Sequence, residues 1–293
     1  MKFFTAIFFI LACIICNAQT STEKLQHQID SIFKRTQGDF AIAFKDLSTE
    51  NHSIFINHHE DFHAASTMKT PVMIEVFKQA SEEKFSLQDS LLIKNEFKSI
   101  VDGSSYSMEL GRDSGEHLYV QIGQKRSIED LVTDMIIYSS NLATNIVIEL
   151  VDAKNVNKTM RNLGALNINV LRGVEDMKAY EAGLSNSTTA YDLMLIFEAL
   201  ANGNVVNPEA DKKMLEILRQ QKHNDLIPHL LPEDLNIANK TGWITGVHHD
   251  SALIELPDGT KYILVLLSKN MKDMDAGTKM LTEVSKMIYD HVK

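Results

Sequence analysis

The period of the hydrophobic pattern changes four times along the chain, and this constrains the fold more than any single residue does. Near the N-terminus, residues 23–35 place Leu25, Ile29, Ile32 and Phe33 at helical spacing. Two strand-like runs follow at 40–47 and 52–57, parted by the turn-like STEN, and they read as a hairpin. The middle is then helical: after an apolar segment beginning near Ser66 come helices predicted at 127–138, 142–151, 154–163, 188–201 and 207–221. Ser127 and Asp130 form a capping box for the first of these, and Thr188 or Thr189 can cap the fourth. Strand patterning returns at 236–240, 250–256 and 262–268, with a PDG turn before the last, and a helix at 276–292 closes the chain. The simplest arrangement pairs the terminal strands in one antiparallel sheet and inserts the helices between them. The predicted class is therefore α/β (α+β): an α/β part of about 22–63 and 222–293 and an all-α part of about 64–221, with a site in the cleft between them.

Composition removes several function classes. Residues 1–18, MKFFTAIFFILACIICNA, combine an early Lys, a short apolar core and a small residue at Ala18, the pattern of a secretory signal cleaved before Gln19. The mature chain of 19–293 is expected to be exported, periplasmic or secreted, with no stable membrane insertion after cleavage. Both cysteines, Cys13 and Cys16, fall in that segment, so disulfides, thiolate catalysis and cysteine-based zinc sites leave with it. A lipid acceptor role for either cysteine lacks a convincing run of small residues before it. With 29 basic against 39 acidic residues, the chain lacks the basic surface that nucleic-acid binding requires.

A nucleophile must then be oxygen. The stretch FHAASTMKTPVMIEVF, residues 62–77, sets Ser66 and Lys69 one helical turn apart, so an amine can reach a hydroxyl and activate it. Ser-x-x-Lys occurs three times, also at Ser21/Lys24 and Ser81/Lys84, but only Ser66 opens an apolar segment, through Met68, Val72, Met73, Val76 and Phe77. Pro71 predicts an irregular first turn around Ser66. Two further short motifs belong at the expected cleft: Ser139-Ser140-Asn141 between two helices, and Lys240-Thr241-Gly242 at the end of a predicted strand.

In this order, S-x-x-K, S-x-N and K-T-G resemble the penicillin-recognising serine hydrolases, specifically the class A β-lactamases. The resemblance covers nearly all of the mature chain. It implies that Ser66 attacks a lactam carbonyl with Lys69 as neutral base or proton relay, and that Ser139 passes a proton to the departing nitrogen. It further implies that Asn141 positions Lys69 and the substrate amide, that Lys240 and Thr241 hold the substrate carboxylate, and that the amides of Ser66 and Trp243, beside Gly242, form an oxyanion hole. No metal or organic cofactor is expected, the partner being a β-lactam or a peptidoglycan peptide and the enzyme a monomer.

The chain also departs from the family. Ser140 stands where the motif has Asp, Trp243 follows K-T-G where smaller residues are usual, and GSSYSMELGRDSGEH, residues 103–117, lengthens the connection toward Ser139. Tyr106 in that insertion is a candidate for stacking on substrate. The family's Arg-x-Glu-x-x-Leu-Asn loop is matched only by Arg172-Gly173-Val174-Glu175, with Glu one position late and no Leu-Asn pair. Glu175 is the expected base for deacylation, the alternatives being a salt bridge with Arg172 and Glu181 or no residue as base. His59-Glu60-Asp61-Phe62-His63 has the H-E-x-x-H form but follows a strand pattern, so zinc is not expected, and His248-His249-Asp250 reads as structural strand entry. The expected activity is β-lactam hydrolysis through an acyl-Ser66 intermediate. The alternatives are a D-Ala-D-Ala carboxypeptidase or peptidoglycan hydrolase, a non-catalytic lactam-binding sensor, and a metalloprotease resting on the His pattern alone.

Overall fold

The computed structural model describes residues 21–49 and 52–293; the expected leader at 1–18 and the end of the STEN turn lie outside the described residues. Helix α1 spans 21–35 and leads into strands β1 (Asp39–Asp46), β2 (Ser53–Ile56) and β3 (Phe62–His63). A 3₁₀ turn at Ala65–Met68 runs into α2 (Lys69–Ser81), followed by β4 (Ser90–Leu92), β5 (Phe97–Lys98), β6 (Ser105–Tyr106), 3₁₀ turns at Leu110–Arg112 and Glu116–Gln121, and β7 (Lys125–Ser127). Then come α3 (Ile128–Ile137), α4 (Asn141–Val151), α5 (Ala153–Asn162), α6 (Met177–Glu181), β8 (Ser187–Thr188), α7 (Ala190–Ala201) and α8 (Pro208–Leu218). Strands β9 (Asn236–Ile244), β10 (Val247–Glu255) and β11 (Lys261–Lys269) and helix α9 (Met274–Val292) complete the chain.

The main sheet is antiparallel with order β2-β1-β11-β10-β9, so strands from the two ends of the chain meet at β1 and β11, where Asp39 pairs with Lys269 and Asp46 with Tyr262. Alternation along each strand explains why both faces are covered. Phe40, Ile42 and Phe44 of β1 pack with Leu264 and Leu266 of β11 against α1 and α9, through Ile29, Phe33, Leu281, Val284 and Ile288. Ala41, Ala43, Ile263, Val265 and Leu267 face the other way, onto the helical block. Each such Phe, Ile or Leu stabilises the fold by about 1.5–3 kcal/mol on leaving water.

Helix α2 runs through that block and is buried from Lys69 to Phe77. Its irregular start follows from Pro71: the ring falls in the first helical turn, where amides lack intrahelical partners, and a 3₁₀ turn precedes it. The Ser127 hydroxyl accepts from the Asp130 amide at 3.1 Å, as its capping box predicts, and Thr189 caps α7 in the same way. Strand β9 corrects one expectation. It continues to Ile244, so Lys240-Thr241-Gly242 lies within the strand, because pairing with β10 carries it through Gly242 opposite His249. Among the described residues no helix is long and apolar enough to cross a membrane.

Candidate active site

The 3₁₀ turn leaves Ser66 half-buried on the cavity wall while the next residues enter the core, with Lys69 fully buried one turn further on. Lys69 does not bond to Ser66. Its Nζ contacts the Ser139 carbonyl at 2.7 Å, the Ser139 hydroxyl at 3.2 Å and Asn141 Oδ1 at 3.0 Å. Burial pushes the amine down to about 7, against the opposing pull of the Asp113 and Glu175 carboxylates, so near neutral pH it exists in both protonation states.

Ser139 sits at the turn between α3 and α4 with a left-handed φ of 58°, a conformation that costs a non-glycine residue about 1 kcal/mol and turns its hydroxyl toward both lysines. Lys240 Nζ approaches that hydroxyl at 3.1 Å and donates to the Thr241 carbonyl at 3.0 Å. Burial, then the neighbouring Lys69, holds the Lys240 amine well below the ordinary lysine range, with Asp250 pulling the other way. One hydroxyl therefore lies between two buried amines, each linked to it directly.

Strand β9 is an edge of the sheet, and its end lies against the Ser66 turn. A Cβ on Gly242 would come within 3.1 Å of both the Ala65 Cβ and the Ser66 amide nitrogen, so a side chain there would push the nucleophile turn by a few tenths of an ångström, and glycine in K-T-G lets the strand pack close against it. Trp243 is 62% exposed, so its ring does not enter the core. It lines a cavity of about 320 Å³ together with Ser66, Ser139, Asn141, Thr241, His223, Asp225 and, from the insertion, Arg112 and Ser114.

Glu175 is joined to this group through Asn141, whose Nδ2 donates to Glu175 Oε1 at 2.9 Å while its Oδ1 serves Lys69. Its φ of 61° is a second strained position at the site. The alternative pairing with Arg172 does not form: that guanidinium donates to the carbonyls of Leu184 and Gly173 at 3.0 and 2.9 Å. Glu181 ends α6 as an exposed residue, and the neighbouring Asp176 caps α6 and accepts from Ser99 and Ile100. Tyr106 is half-buried beside Phe97 in the β5–β6 hairpin, and its hydroxyl donates to the Val174 carbonyl at 3.3 Å beneath the Glu175 loop.

Two residues escaped the sequence reading. Asn145 clamps the Glu175 loop, accepting from the Val174 amide at 2.7 Å and donating to the Val174 carbonyl at 3.0 Å; its only sequence signal is an amide in the apolar run NLATNIVIELV. Asp113, from the insertion, is buried against the start of α4 and accepts from the amides of Asn141 and Leu142 at 2.9 and 2.8 Å. No local pattern marks it.

Three of the histidines the sequence singles out make local packing and backbone contacts. His59 lies in a turn, stacked near His58 and Tyr191, and His63 in β3, so H-E-x-x-H does not place two imidazoles on one helix face. His249 accepts from the Ser268 amide through Nδ1 and donates to the His63 carbonyl through Nε2, at 3.1 and 2.9 Å, which fixes a neutral tautomer; burial pushes it down to about 3. Asp250 accepts from Asn239 and the Ile227 amide and is pushed up to about 7 by burial.

These groups can carry out acyl transfer: a hydroxyl at a turn, a buried amine one turn further along the chain able to be neutral, a second hydroxyl on that amine to move a proton, and a carboxylate on a bridging amide. Comparison with solved structures agrees with the fold. The β-lactamase of Sphaerobacter thermophilus is 24% identical, covering 93% of this chain and 97% of that one with a TM-score of 0.76. PBP-A is 25% identical, with 91% and 95% covered and a TM-score of 0.78. The extended-spectrum β-lactamase TLA-1 is 19% identical, with 93% and 100% covered and a TM-score of 0.80. No curated protein matches the sequence. The model of the beta-lactamase enzyme family matches residues 24–292, and the chain belongs to that family.

Proposed function

We propose that the protein is an exported, monomeric serine β-lactamase of the class A type, hydrolysing the lactam amide through an ester on Ser66. The observation that carries the reading is the Ser139 hydroxyl held between Lys69 and Lys240. Neutral Lys69 takes the Ser66 proton, by way of solvent or the incoming substrate, as Oγ bonds to the lactam carbonyl carbon. The carbonyl oxygen gains the negative charge and is met by the amides of Ser66 and Trp243, where one donor is worth about 3 kcal/mol. Collapse breaks the C–N bond; the nitrogen takes a proton from the Ser139 hydroxyl, which recovers one from Lys69 across 3.2 Å. Lys240 and Thr241 bind the substrate carboxylate, whose charge favours protonated Lys240 once substrate is bound. Glu175, held by Asn141, then takes a proton from a water whose oxygen attacks the ester carbon, and as the C–O bond to Ser66 breaks that proton passes to the leaving Oγ, restoring the free hydroxyl and carboxylate.

Cleavage of a chromogenic cephalosporin by the parent, and its loss in Ser66→Gly, tests this reading; an unaffected Ser66→Gly variant overturns it. A second reading is supported by the shifted Glu175 loop and by the similarity to PBP-A, a point mutant of which is described as an acyl-enzyme complex with penicillin G. In that reading the chain is acylated by lactams but acts on peptidoglycan peptides, and the ester persists.

A further inference from the structure

The insertion at 103–117 brings a carboxylate to the turn that lacks one. Five donors converge on buried Asp113: Oδ1 accepts from the amides of Asn141 at 2.9 Å and Gly115 at 2.8 Å, and Oδ2 from the Leu142 amide at 2.8 Å, the Tyr119 hydroxyl at 3.1 Å and the Ser140 hydroxyl at 3.4 Å. Ser140 itself accepts from the Ala143 amide, so the amides opening α4 are satisfied by these two side chains together. The fit depends on small residues on both sides. A Cβ on Gly115 would lie 2.3 Å from Ser140 Oγ and 2.4 Å from its Cβ, so the insertion reaches the turn only because residue 115 is glycine, and a longer residue at 140 would fill the same space.

We infer that Asp113 is a positioning residue that replaces in space the carboxylate missing from the middle of the Ser139-Ser140-Asn141 motif, fixing the turn that holds Ser139 and Asn141 and supplying fixed negative charge to Lys69. The inference rests on the acyl-transfer reading of Ser66, Lys69 and Ser139. The neighbouring guanidiniums have other partners: Arg112 pairs with Glu109 at 3.1 Å and Arg126 with Asp134 at 2.8 Å. Lys69 is faced by Asp113 from the insertion, Glu175 from its loop and Lys240 from β9, with neutral Ser139 and Asn141 in contact. Of the two carboxylates acting on the amine, Asp113 has the larger effect, and both favour its protonated form.

Asp113→Asn removes the charge and keeps the side-chain size, but turns one acceptor oxygen into an NH2 facing the donors it served, so the turn loosens and Lys69 should lose its proton more readily. The acid limb of the acylation rate is expected to move about one pH unit lower, with an acylation rate at least tenfold below the parent on its plateau. The ¹³Cε resonance of Lys69 in ¹³C-lysine protein should show the same shift without substrate; this titration stands even if the protein acts on no lactam, which separates failure of the inference from failure of the reading. Gly115→Ala, which leaves the charge but forces the insertion away from Ser140, should lower acylation about tenfold or more. A Lys69 titration unchanged in Asp113→Asn overturns the inference, whatever happens to stability, as does parental acylation in Gly115→Ala.

Discussion

Replacing Gly173 by Ala should uncouple the two halves of the reaction. The added Cβ would fall 2.2 Å from Asn145 Oδ1 and 2.8 Å from its Cγ, far inside van der Waals contact, so either Asn145 or the loop must move. Asn145 cannot swing away cheaply. It is buried, its Oδ1 holds the Val174 amide, and its Nδ2 serves the Val174 carbonyl and the Tyr106 hydroxyl. Stranding two of these groups at about 1–3 kcal/mol each gives a penalty of about 2–6 kcal/mol, met most readily by displacing the loop just before Glu175. The misplaced carboxylate should slow deacylation about 100-fold or more, since a shift of about 1 Å in a catalytic group has effects of that order. Acylation, which uses Lys69, Ser139 and Lys240, should change far less. Quenched-flow mass spectrometry with penicillin G separates the two rates and should find the acyl adduct accumulating. Deacylation within about threefold of the parent, in a variant of parental thermal stability, would refute the view that Asn145 and Gly173 set the position of Glu175.

Other consequences can be measured together. With the Lys69 amine at about 7 and its neutral form as base, kcat/KM for acylation should fall about tenfold per pH unit below 7 and level off above it; a profile flat down to pH 5 contradicts the assignment. Trp243→Ala removes an exposed ring from the cavity wall and should raise kcat/KM about tenfold for cephalosporins with bulky side chains relative to small penicillins, a ratio read from steady-state kinetics. His249 is held neutral when folded, at about 3, but takes a proton near 6.5 when unfolded, so the unfolded state binds more protons between those values and stability falls as pH drops through them. The stability advantage of the parent over His249→Asn should therefore shrink steadily below pH 6.5 in urea titrations.

What the sequence discloses depends on whether the cause is local. Ser66 and Lys69 are legible because their spacing and the apolar run behind them are properties of one short segment, and the caps at Ser127 and Thr189 for the same reason. By pattern alone strand β9 stops at Lys240, before the glycine at 242, whereas pairing with β10, a tertiary effect, carries the strand on to Ile244. Nothing local ties Tyr106 to the Glu175 loop either: its partners Val174 and Asn145 lie 68 and 39 residues away. Asp113 is invisible for the same reason: its meaning lies in amides 28 and 29 residues away, and nothing between them marks the contact. The departure at Ser140 is visible, but its compensation exists only in three dimensions.

The central claim is tested most directly by intact-protein mass spectrometry of the mature chain mixed with penicillin G, sampled from milliseconds to minutes, with peptide mapping of the adduct and parallel assay of the hydrolysed product. The account predicts an adduct of one penicillin mass on Ser66 that appears, decays and leaves many equivalents of penicilloate behind. An adduct that persists without product would move the protein to the acylated but non-hydrolysing class, and product released with Ser66 replaced by Gly would contradict the mechanism outright.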